Sequence, residues 1–564
     1  MENNEYQENF WRNPPNLIRN YSDCRFGQIH YRVVLNEKSK KRPLICFHLS
    51  PNSSRVFNPI ISKLGILRTC LAADTPGFGE SDPPNFMPKI EDYAAAMGDL
   101  IDNLNFKEID VMGYHTGSKI ALTLALQRPE QVKKIILISA PVYTKEELNN
   151  QKRTMGHTEV DEVHDDGNHL KKKWLGHLKW VDKDAPIIFT HREVVESLRG
   201  GENSWWGHRA AFEVYHKDLI PKIEHPILIL CPNDDLLEPT LRAEELLNNG
   251  ELIILNDCSH GMFETKSQKI SKIIENYLDR KLEEHQETKK IEPPKQNIIS
   301  TKKIKKIYIK SQNGQLHYRK AGDNSSNPPL ICFHMSPNSG KIYENFMKEI
   351  SKDRIVIAPD TPGFGESDPP LEEPSIEDYA ETMSNFIDNL GFNQVDLIGY
   401  HTGSITCIAL ANSRPELIRK IIQISCPIYN EDELENRKNN YKKQPIEKNG
   451  DHLLKKWKFM LPFYGEKTPR SILTRNFSEG LRGGPFSHWG HKAAFNYDLK
   501  SNIQNINNHI LIVNPNDDLV KQTPRGLNYA KNATLLEIEN FGHGFLDIIT
   551  KDFTAKVRDF LSVE

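Results

Sequence analysis

Gly113-Tyr114-His115-Thr116-Gly117 returns letter for letter as Gly399-Tyr400-His401-Thr402-Gly403. Each copy follows a short apolar run and precedes a segment rich in Ala and Leu, a pattern that predicts a strand, a tight turn and a helix. The flanking glycines allow a strained turn without a Cβ clash, and the turn presents the histidine at the head of the helix. The repeated stretch therefore predicts two structural units built around the same corner.

The duplication extends over most of the chain. The residues that recur at an offset of 286 are His48 with His334, Asp74 with Asp360, and His115 with His401. Those at an offset of 283 are His169 with His452, Trp206 with Trp489, Asp234 with Asp517, and His260 with His543. A loss of three residues between positions 141 and 169 explains the change, so the chain is a tandem repeat.

Strands alternate with helical segments in each copy, which predicts parallel crossovers and a doubly wound α/β sheet. At 564 residues the chain is too long for a single hydrophobic core. We therefore expect a polar N-terminal extension over 1–20, a first domain over 21–280, a charged linker over 281–306 and a second domain over 307–564. The expected cap segments, which interrupt the strand pattern, cover about 142–220 and 428–503.

Composition narrows the partners and the location. Lys and Arg number 73 against 76 Asp and Glu, giving a net charge of -3, so no nucleic-acid surface is predicted. The polar N-terminal stretch lacks the apolar core of a signal peptide, and no apolar run reaches the length of a membrane span. The eight cysteines form no disulfide framework. These features predict a cytoplasmic protein without a membrane partner.

Several motifs in this order resemble the α/β-hydrolase superfamily. They are the glycine-bracketed turn, which that superfamily uses as a nucleophile elbow, the Gly-Phe-Gly-x-Ser loop at 77–81, an Asp after a late strand and a His-Gly before the last helix. His48-Leu49-Ser50-Pro51 is similar to the His-Gly-x-Pro motif of the epoxide-hydrolase and haloalkane-dehalogenase branch, with Leu49 in place of glycine. The resemblance implies two consecutive α/β-hydrolase folds, each with a helical cap inserted after the sixth strand.

The resemblance also implies roles for particular residues. It places His at the nucleophile position, an Asp as the acid and a later His as the base: His115, Asp234 and His260, then His401, Asp517 and His543. The first Asp of each Asp-Asp pair is preferred for the acid because it directly follows the strand. The implied oxyanion donors are the backbone groups of Thr116 with Leu49 or Ser50, and of Thr402 with Met335 or Ser336.

Matching positions in the caps and loops add candidates for substrate binding. They are His48, Arg199, Trp206 and His208 in the first copy, and His334, Arg482, Trp489 and His491 in the second. Each also has a structural interpretation, since a histidine can fix a loop and a tryptophan can belong to the core of the cap.

A histidine at the elbow leaves the chemistry open. The positive end of the helix dipole favours a neutral imidazole at His115, whereas an Asp raises the pKa of His260. The two imidazoles then form an acid and a base that activate water or move a proton, or His115 forms a transient acyl-imidazole. A metal site from His48, His115 and His260 is conceivable, but no ligand spacing supports it and none is predicted.

A different class of function is a catalytically inactive protein whose pockets only bind a small molecule or a protein partner. The missing Ser or Asp nucleophile favours it, and the two retained Asp and His positions favour an enzyme. The sequence has no Gly-rich phosphate loop, so no cofactor is predicted. The expected ligand is a small organic substrate, and the two domains are expected to dock as an intramolecular pseudo-dimer.

Overall fold

The structure is a computed structural model, and it describes residues 4–154, 162–281, 288–295, 304–323 and 326–562. It contains two eight-stranded sheets, one in each half of the chain. The strands of the first half are β1 Ile18–Cys24, β2 Gly27–Val34, β3 Leu44–Phe47, β4 Cys70–Ala73, β5 Ile109–Tyr114, β6 Val132–Ile138, β7 Ile227–Pro232 and β8 Gly250–Leu255. Those of the second half are β9 Ile304–Ser311, β10 Gly314–Ala321, β11 Leu330–Phe333, β12 Val356–Pro359, β13 Val395–Tyr400, β14 Ile418–Ile424, β15 His509–Pro515 and β16 Ala533–Ile538.

The two sheets have the same topology. The strand order is β1-β2-β4-β3-β5-β6-β7-β8 in the first half, and the corresponding strands follow the same order in the second. β1 pairs antiparallel with β2, and β2 antiparallel with β4, while the other pairs are parallel. The expected doubly wound, mostly parallel sheet is confirmed in both halves.

Helices cover both faces of each sheet, and the central strands are apolar runs because both of their faces are buried. The helices of the first half are α1 Asn4–Trp11, α2 Asn58–Leu64, α3 Ile90–Asn103, α4 Thr116–Gln127, α5 Lys145–Thr154, α6 Asn168–Trp180, α7 Ile187–Leu198, α8 Trp206–Glu213, α9 His216–Leu219, α10 Leu237–Leu241, α11 Met262–Thr265 and α12 Ser267–Asp279. Those of the second half are α13 Glu344–Ile350, α14 Ile376–Asn389, α15 Thr402–Ser413, α16 Glu431–Asn440, α17 Asp451–Met460, α18 Arg470–Leu481, α19 Trp489–Asn496, α20 Leu499–Ile503, α21 Phe545–Ile548 and α22 Thr550–Ser562. Helices α5 to α9 and α16 to α20 lie between the sixth and seventh strands, where the caps were expected.

The cap helices of the two halves pack against each other. Trp174 and Trp457 are buried in one apolar cluster. The indole of Trp174 donates to the carbonyl of Lys448, and that of Trp457 donates to the carbonyl of Asp165. The exchange is reciprocal, so the two caps meet about a pseudo-two-fold axis.

Both ends of the predicted first domain differ from the structure. The N-terminal residues form helix α1 and the start of β1, and the indole of Trp11 donates to the carbonyl of Arg482 in the other half. β9 already begins at Ile304, inside the predicted linker, and Ile291 donates to the carbonyl of Leu126. These contacts with the folded halves hold helix α1 and Ile291 in place, although both lie in polar stretches of the sequence. Among the described helices, none combines the length and the apolar character that crossing a bilayer demands.

Candidate functional site

The elbow has the strained backbone that the two glycines predict. His115 has φ 49° and ψ -110°, and His401 has φ 48° and ψ -113°, a region that few non-glycine residues occupy. A Cβ on Gly113 would lie 2.1 Å from the carbonyl oxygen of Gly117, and one on Gly117 would lie 2.0 Å from that of Phe47. Only glycine allows these approaches, so the turn holds each histidine between its sheet and the helix that follows.

Each pair of aspartates is divided between two histidines. His115 Nε2 lies 3.2 Å from Asp234 Oδ2, and His260 Nε2 lies 3.1 Å from Asp235 Oδ1. The preference for Asp234 as the partner of His260 is therefore wrong, because the strand end directs its carboxylate to the elbow. Asp234 is fixed there by the hydroxyl of Ser139, which donates to Oδ2 at 2.6 Å.

The second copy repeats this division. His401 Nε2 is 3.3 Å from Asp517 Oδ2 and 3.6 Å from Asp518 Oδ1, and His543 Nε2 is 3.1 Å from Asp518 Oδ1. Ser425 donates to Asp517 Oδ2 at 2.5 Å. The partner of His543 is thus Asp518, and the preference for Asp517 is corrected for the same reason.

A tyrosine completes each cluster. Tyr400 Oη and His543 Nδ1 are 2.9 Å apart, and the corresponding Tyr114 Oη and His260 Nδ1 are 3.4 Å apart. Sequence reasoning did not assign a role to these tyrosines, although they belong to the repeated pentapeptide. We call the groups of Tyr114, His115, Asp234, Asp235 and His260, and of Tyr400, His401, Asp517, Asp518 and His543, the first and second His-Asp clusters.

The carboxylates change the charge of one imidazole in each cluster. Burial lowers the pKa of His401, but the charges of Asp518 and Asp517 outweigh it and raise that pKa overall. Burial also lowers the pKa of His260, but Asp235 and Asp234 outweigh burial and raise that pKa overall. For His401 the pKa therefore shifts in the direction opposite to that expected from the helix dipole, because two nearby carboxylates have a stronger effect than the dipole.

The same side chains present possible metal ligands. One atom from each of His115, Asp234, Asp235 and His260 lies within 4.8 Å of the others, and the second cluster has the same arrangement. The conceivable set that included His48 is not assembled, because both ring nitrogens of His48 are engaged elsewhere.

His48 and His334 fix loops and do not face the site. His48 Nε2 accepts a hydrogen bond from the backbone of Thr75 at 2.9 Å, so Nδ1 carries the proton and donates to the carbonyl of Leu49 at 2.7 Å. His334 makes the same contacts with Thr361 and Met335. Their predicted role in substrate binding is wrong, since both rings are buried and fully hydrogen-bonded.

The predicted oxyanion loops lie beside the elbows, but one donor is occupied. The backbone N–H of Ser336 donates to Thr402 Oγ1 at 2.7 Å. Met335 and Leu49 pack in the cores beside their sheets. The N–H of Thr402, like that of Thr116, belongs to the first residue of the helix after the elbow, where backbone donors point at a bound anion.

Arg199 and Arg482 lie at the contact between the halves and not in a substrate pocket. Arg482 Nη2 is 2.5 Å from Glu366 Oε1 and its Nη1 is 3.0 Å from Glu80 Oε1, while Arg199 Nη2 is 2.6 Å from the same atom of Glu80. All four side chains are buried. Their prediction as substrate-binding residues is wrong, because residues that match in both copies also meet at a pseudo-two-fold axis.

The remaining cap candidates divide between the site and the core. Trp489 is buried in an apolar cluster with Trp11, Ile188 and Phe486, so it is not a pocket residue, and Trp206 is half-buried at the start of α8. His491 lies close enough to His401 for the two charges to interact, and burial lowers its pKa to about 4. Burial also lowers the pKa of His208 to about 4, with His115 nearby. These two histidines are the cap residues that the structure places beside the clusters.

A cavity of about 860 Å³ lies above the second cluster. Its wall includes His401, Asp518, His543, His491 and Ser336. The size is that of a site for a small or medium organic molecule. Gln7 of α1 also lines it, so the N-terminal helix closes part of the cavity of the other half.

Comparison with known proteins finds the same fold in both halves. Residues 42–161 and 328–466 each match the alpha/beta hydrolase fold family. A protein from Yersinia enterocolitica with the name "Putative carbamate hydrolase RutD" is 27% identical over 239 residues, which cover 40% of this chain and 83% of that protein. A proline iminopeptidase from Lactobacillus acidophilus is 22% identical over 285 residues, covering 45% and 94%.

A shorter sequence match and a match to a solved structure were also found. Epoxide hydrolase 4 of Mus musculus is 28% identical over 123 residues, covering 22% of this chain and 34% of that protein. The enol-lactonase from Burkholderia xenovorans matches 46% of this chain and 100% of its own, with 16% identity and a TM-score of 0.39. The two matched regions and the two sheets show that this chain contains the α/β-hydrolase fold twice.

Proposed function

We propose that this protein is a hydrolase in which the His-Asp clusters activate water against a small organic substrate held beneath the cap. The proposal takes the general activity from the named hydrolases among its relatives and the mechanism from the clusters. It replaces the covalent nucleophile of those folds by a pair of imidazoles.

The observation that carries the proposal is that each imidazole has its own hydrogen-bonded carboxylate. In both copies the elbow histidine contacts the first Asp and the late histidine contacts the second. The ring centroids of His115 and His260 are 5.3 Å apart, and those of His401 and His543 are 5.2 Å apart. A pair so close titrates as a unit, and such a unit supplies both an acid and a base.

In the proposed reaction, the imidazole pair moves protons between water and the leaving group. One imidazole of the pair accepts a proton from water, and the resulting hydroxide oxygen forms a bond to the electrophilic carbon of the substrate. The backbone N–H of Thr116 or Thr402 steadies the negative charge that develops on the substrate oxygen. The protonated imidazole of the pair then gives its proton to the leaving group as the scissile bond breaks.

A binding protein without turnover is the second candidate, and one observation favours it for the second half. The hydroxyl of Thr402 already occupies the N–H of Ser336, which the superfamily resemblance assigns to the oxyanion. Rotation of the Thr402 side chain has to release that donor before catalysis.

Turnover of a substrate panel tests the proposal. Purified protein is incubated with acyl esters, amides, lactones and epoxides, and a serine-directed fluorophosphonate is added in parallel. We expect hydrolysis of at least one class without covalent labelling. Labelling of a serine together with loss of activity would contradict the imidazole mechanism, and a complete lack of turnover would favour the binding protein.

A further inference from the structure

Two cations in the cavity of the second half have no carboxylate partner among the residues that the structure describes. Lys456 Nζ donates to the carbonyl of Gly480 at 2.6 Å. The guanidinium carbon of Arg437 lies 5.7 Å from the centroid of the Tyr429 ring, which is a cation–π contact. Both side chains line the cavity. Lys455 of the same wall is paired with Glu447 at 2.5 Å, and Lys443 donates to the side chain of Asn4 at 3.2 Å.

The charge of Arg437 reaches the second His-Asp cluster, and that of Lys456 reaches the cap histidine beside the cluster. The positive charge of Arg437 is felt by Asp518, His401 and His491, and that of Lys456 is felt by His491. Burial lowers the pKa of Lys456 to about 8, with no acidic group opposing the shift. A buried ammonium group is costly unless a negative charge compensates it, so this wall is suited to an anion.

The rest of the cavity wall indicates the chemistry of the remainder of the ligand. Phe459, Met460 and Phe463 line the same cavity and offer an apolar surface. Asp518 and Glu433 are also present, and they repel a doubly charged group more strongly than a singly charged one. A planar guanidinium is well matched to the two oxygens of a carboxylate.

We propose that the second half binds an organic acid, with its carboxylate between Arg437 and Lys456 and its apolar body toward Phe459 and Phe463. The inference rests on the proposed function only where it places the bound molecule beside His401 as a substrate. Binding itself does not require turnover.

The duplication supplies the matched comparison. Helix α16 corresponds to α5 at the offset of 286, so Gln151 occupies the position of Arg437 (437 − 151). The lysine is kept, as Lys173 and Lys456 correspond at the offset of 283 (456 − 173). The carboxylate site therefore belongs to the second half, and the chain holds one tight site.

Calorimetric titration of the full chain with 4-phenylbutyrate, 4-phenylbutyramide and phenyl phosphate tests the inference. We expect the acid to bind with one site per chain and about 10- to 100-fold more tightly than the amide, since a hydrogen bond to a charged group is lost with the amide. R437Q, which installs the residue of the first half, and K456M should each reduce the affinity for the acid toward that for the amide. K458Q, at an exposed lysine of α17 outside the cavity lining, should leave it unchanged.

Several results would overturn the inference. These are equal affinities for acid and amide, tighter binding of phenyl phosphate, no binding of the acid at millimolar concentration, or an unchanged ratio in R437Q. Far-ultraviolet circular dichroism and the thermal midpoint show whether each variant is folded, and the acid-to-amide ratio of the native chain provides a test that needs no variant. Because the readout is binding, absence of hydrolysis would count against the proposed function alone.

Discussion

His401 is held at a strained φ between two carboxylates, and its place at the head of α15 is set by the glycines of the elbow. The resulting charge is a balance of three effects. Burial and the helix dipole disfavour the imidazolium form, and Asp517 and Asp518 favour it. The carboxylates prevail, so the pKa of His401 is raised above that of an ordinary histidine.

The pH dependence of hydrolysis follows from this charge. A raised pKa means that His401 keeps its proton to higher pH, and activity declines as pH rises through that pKa because the acid is lost. D518N removes the largest favourable charge, so the alkaline limb of the pH–rate profile should move to lower pH. The measurement is the rate against pH in an H115A background, where only the second cluster is complete. An alkaline limb that stays in place in D518N would exclude His401 as the acid.

Metal removal tests whether the four possible ligand atoms of each His-Asp cluster bind a metal ion. The raised pKa of His260 and of His401 means that each ring holds a proton more strongly, so a metal ion has to compete with that proton for the ring nitrogen. We expect exhaustive treatment with a chelator to leave the hydrolysis rate within about twofold, since the proposed steps move protons only. Loss of activity that zinc or manganese restores would assign the clusters to a metal ion.

At the scale of elements, cap helix α19 lies directly on the loop after β11. A Cβ on Gly490 would be 2.0 Å from Ser336 Oγ, and in the first half a Cβ on Gly207 would be 2.1 Å from Ser50 Oγ. The absence of a side chain lets the cap approach the predicted oxyanion loop. The contact between Gly490 and Ser336 therefore positions the cap helix against the predicted oxyanion loop.

G490A should separate the cap from this loop and reduce hydrolysis by the second half by about tenfold or more, because small displacements of positioned groups are costly. G176A is the matched control, since nothing lies within 4 Å of a Cβ there and the residue is inside helix α6. It should raise the free energy of unfolding by about 0.5–1 kcal/mol. Kinetics in the H115A background and urea denaturation measure the two effects, and unchanged kinetics in G490A would disprove the positioning role.

The elements were predictable because their signals are local. The glycine-bracketed pentapeptide, the apolar strands and the interrupted pattern of the cap each depend on short-range periodicity and turn chemistry. The partner of His260 was not predictable, since Asp234 and Asp235 are adjacent and only the course of the chain after β7 decides which carboxylate faces which ring. Substrate binding was wrongly predicted for Arg199 and Arg482 for another reason. A residue repeated in both copies can belong to a pseudo-two-fold contact as well as to a repeated binding site.

At the scale of the whole molecule, a buried network of ion pairs joins the halves. Glu366 contacts Arg482 at 2.5 Å, Arg199 at 3.4 Å and Arg32 at 3.4 Å, so it meets cations from both halves. With Glu80 it forms the centre of the pseudo-two-fold contact. The arginines hold the pKa of Glu366 well below its usual range despite the opposing effect of burial, so its carboxylate is charged.

We predict that the halves stay together when the connection between them is cut. With a site-specific protease sequence inserted after Lys295, cleavage should give two fragments that elute as one complex on size-exclusion chromatography. E366A removes the carboxylate that pairs with buried Arg32 and one of the carboxylates that pair with Arg199 and Arg482, and it should cost about 3–5 kcal/mol of unfolding free energy. E251A breaks the exposed pair with Arg280 and should cost less than about 1 kcal/mol. Fragments that separate at once in the native chain would contradict a pseudo-dimer.

The central claim is that the elbow histidines transfer protons and do not stand in for serine. The most direct test is the hydrolysis rate of H115A/H401A and of H115S/H401S, with the best substrate of the panel and circular dichroism as the control for folding. We predict that both double variants lose about 10²-fold or more in rate while remaining folded. A native rate in the alanine variant, or a fully active serine variant with a trapped acyl-serine, would contradict the account.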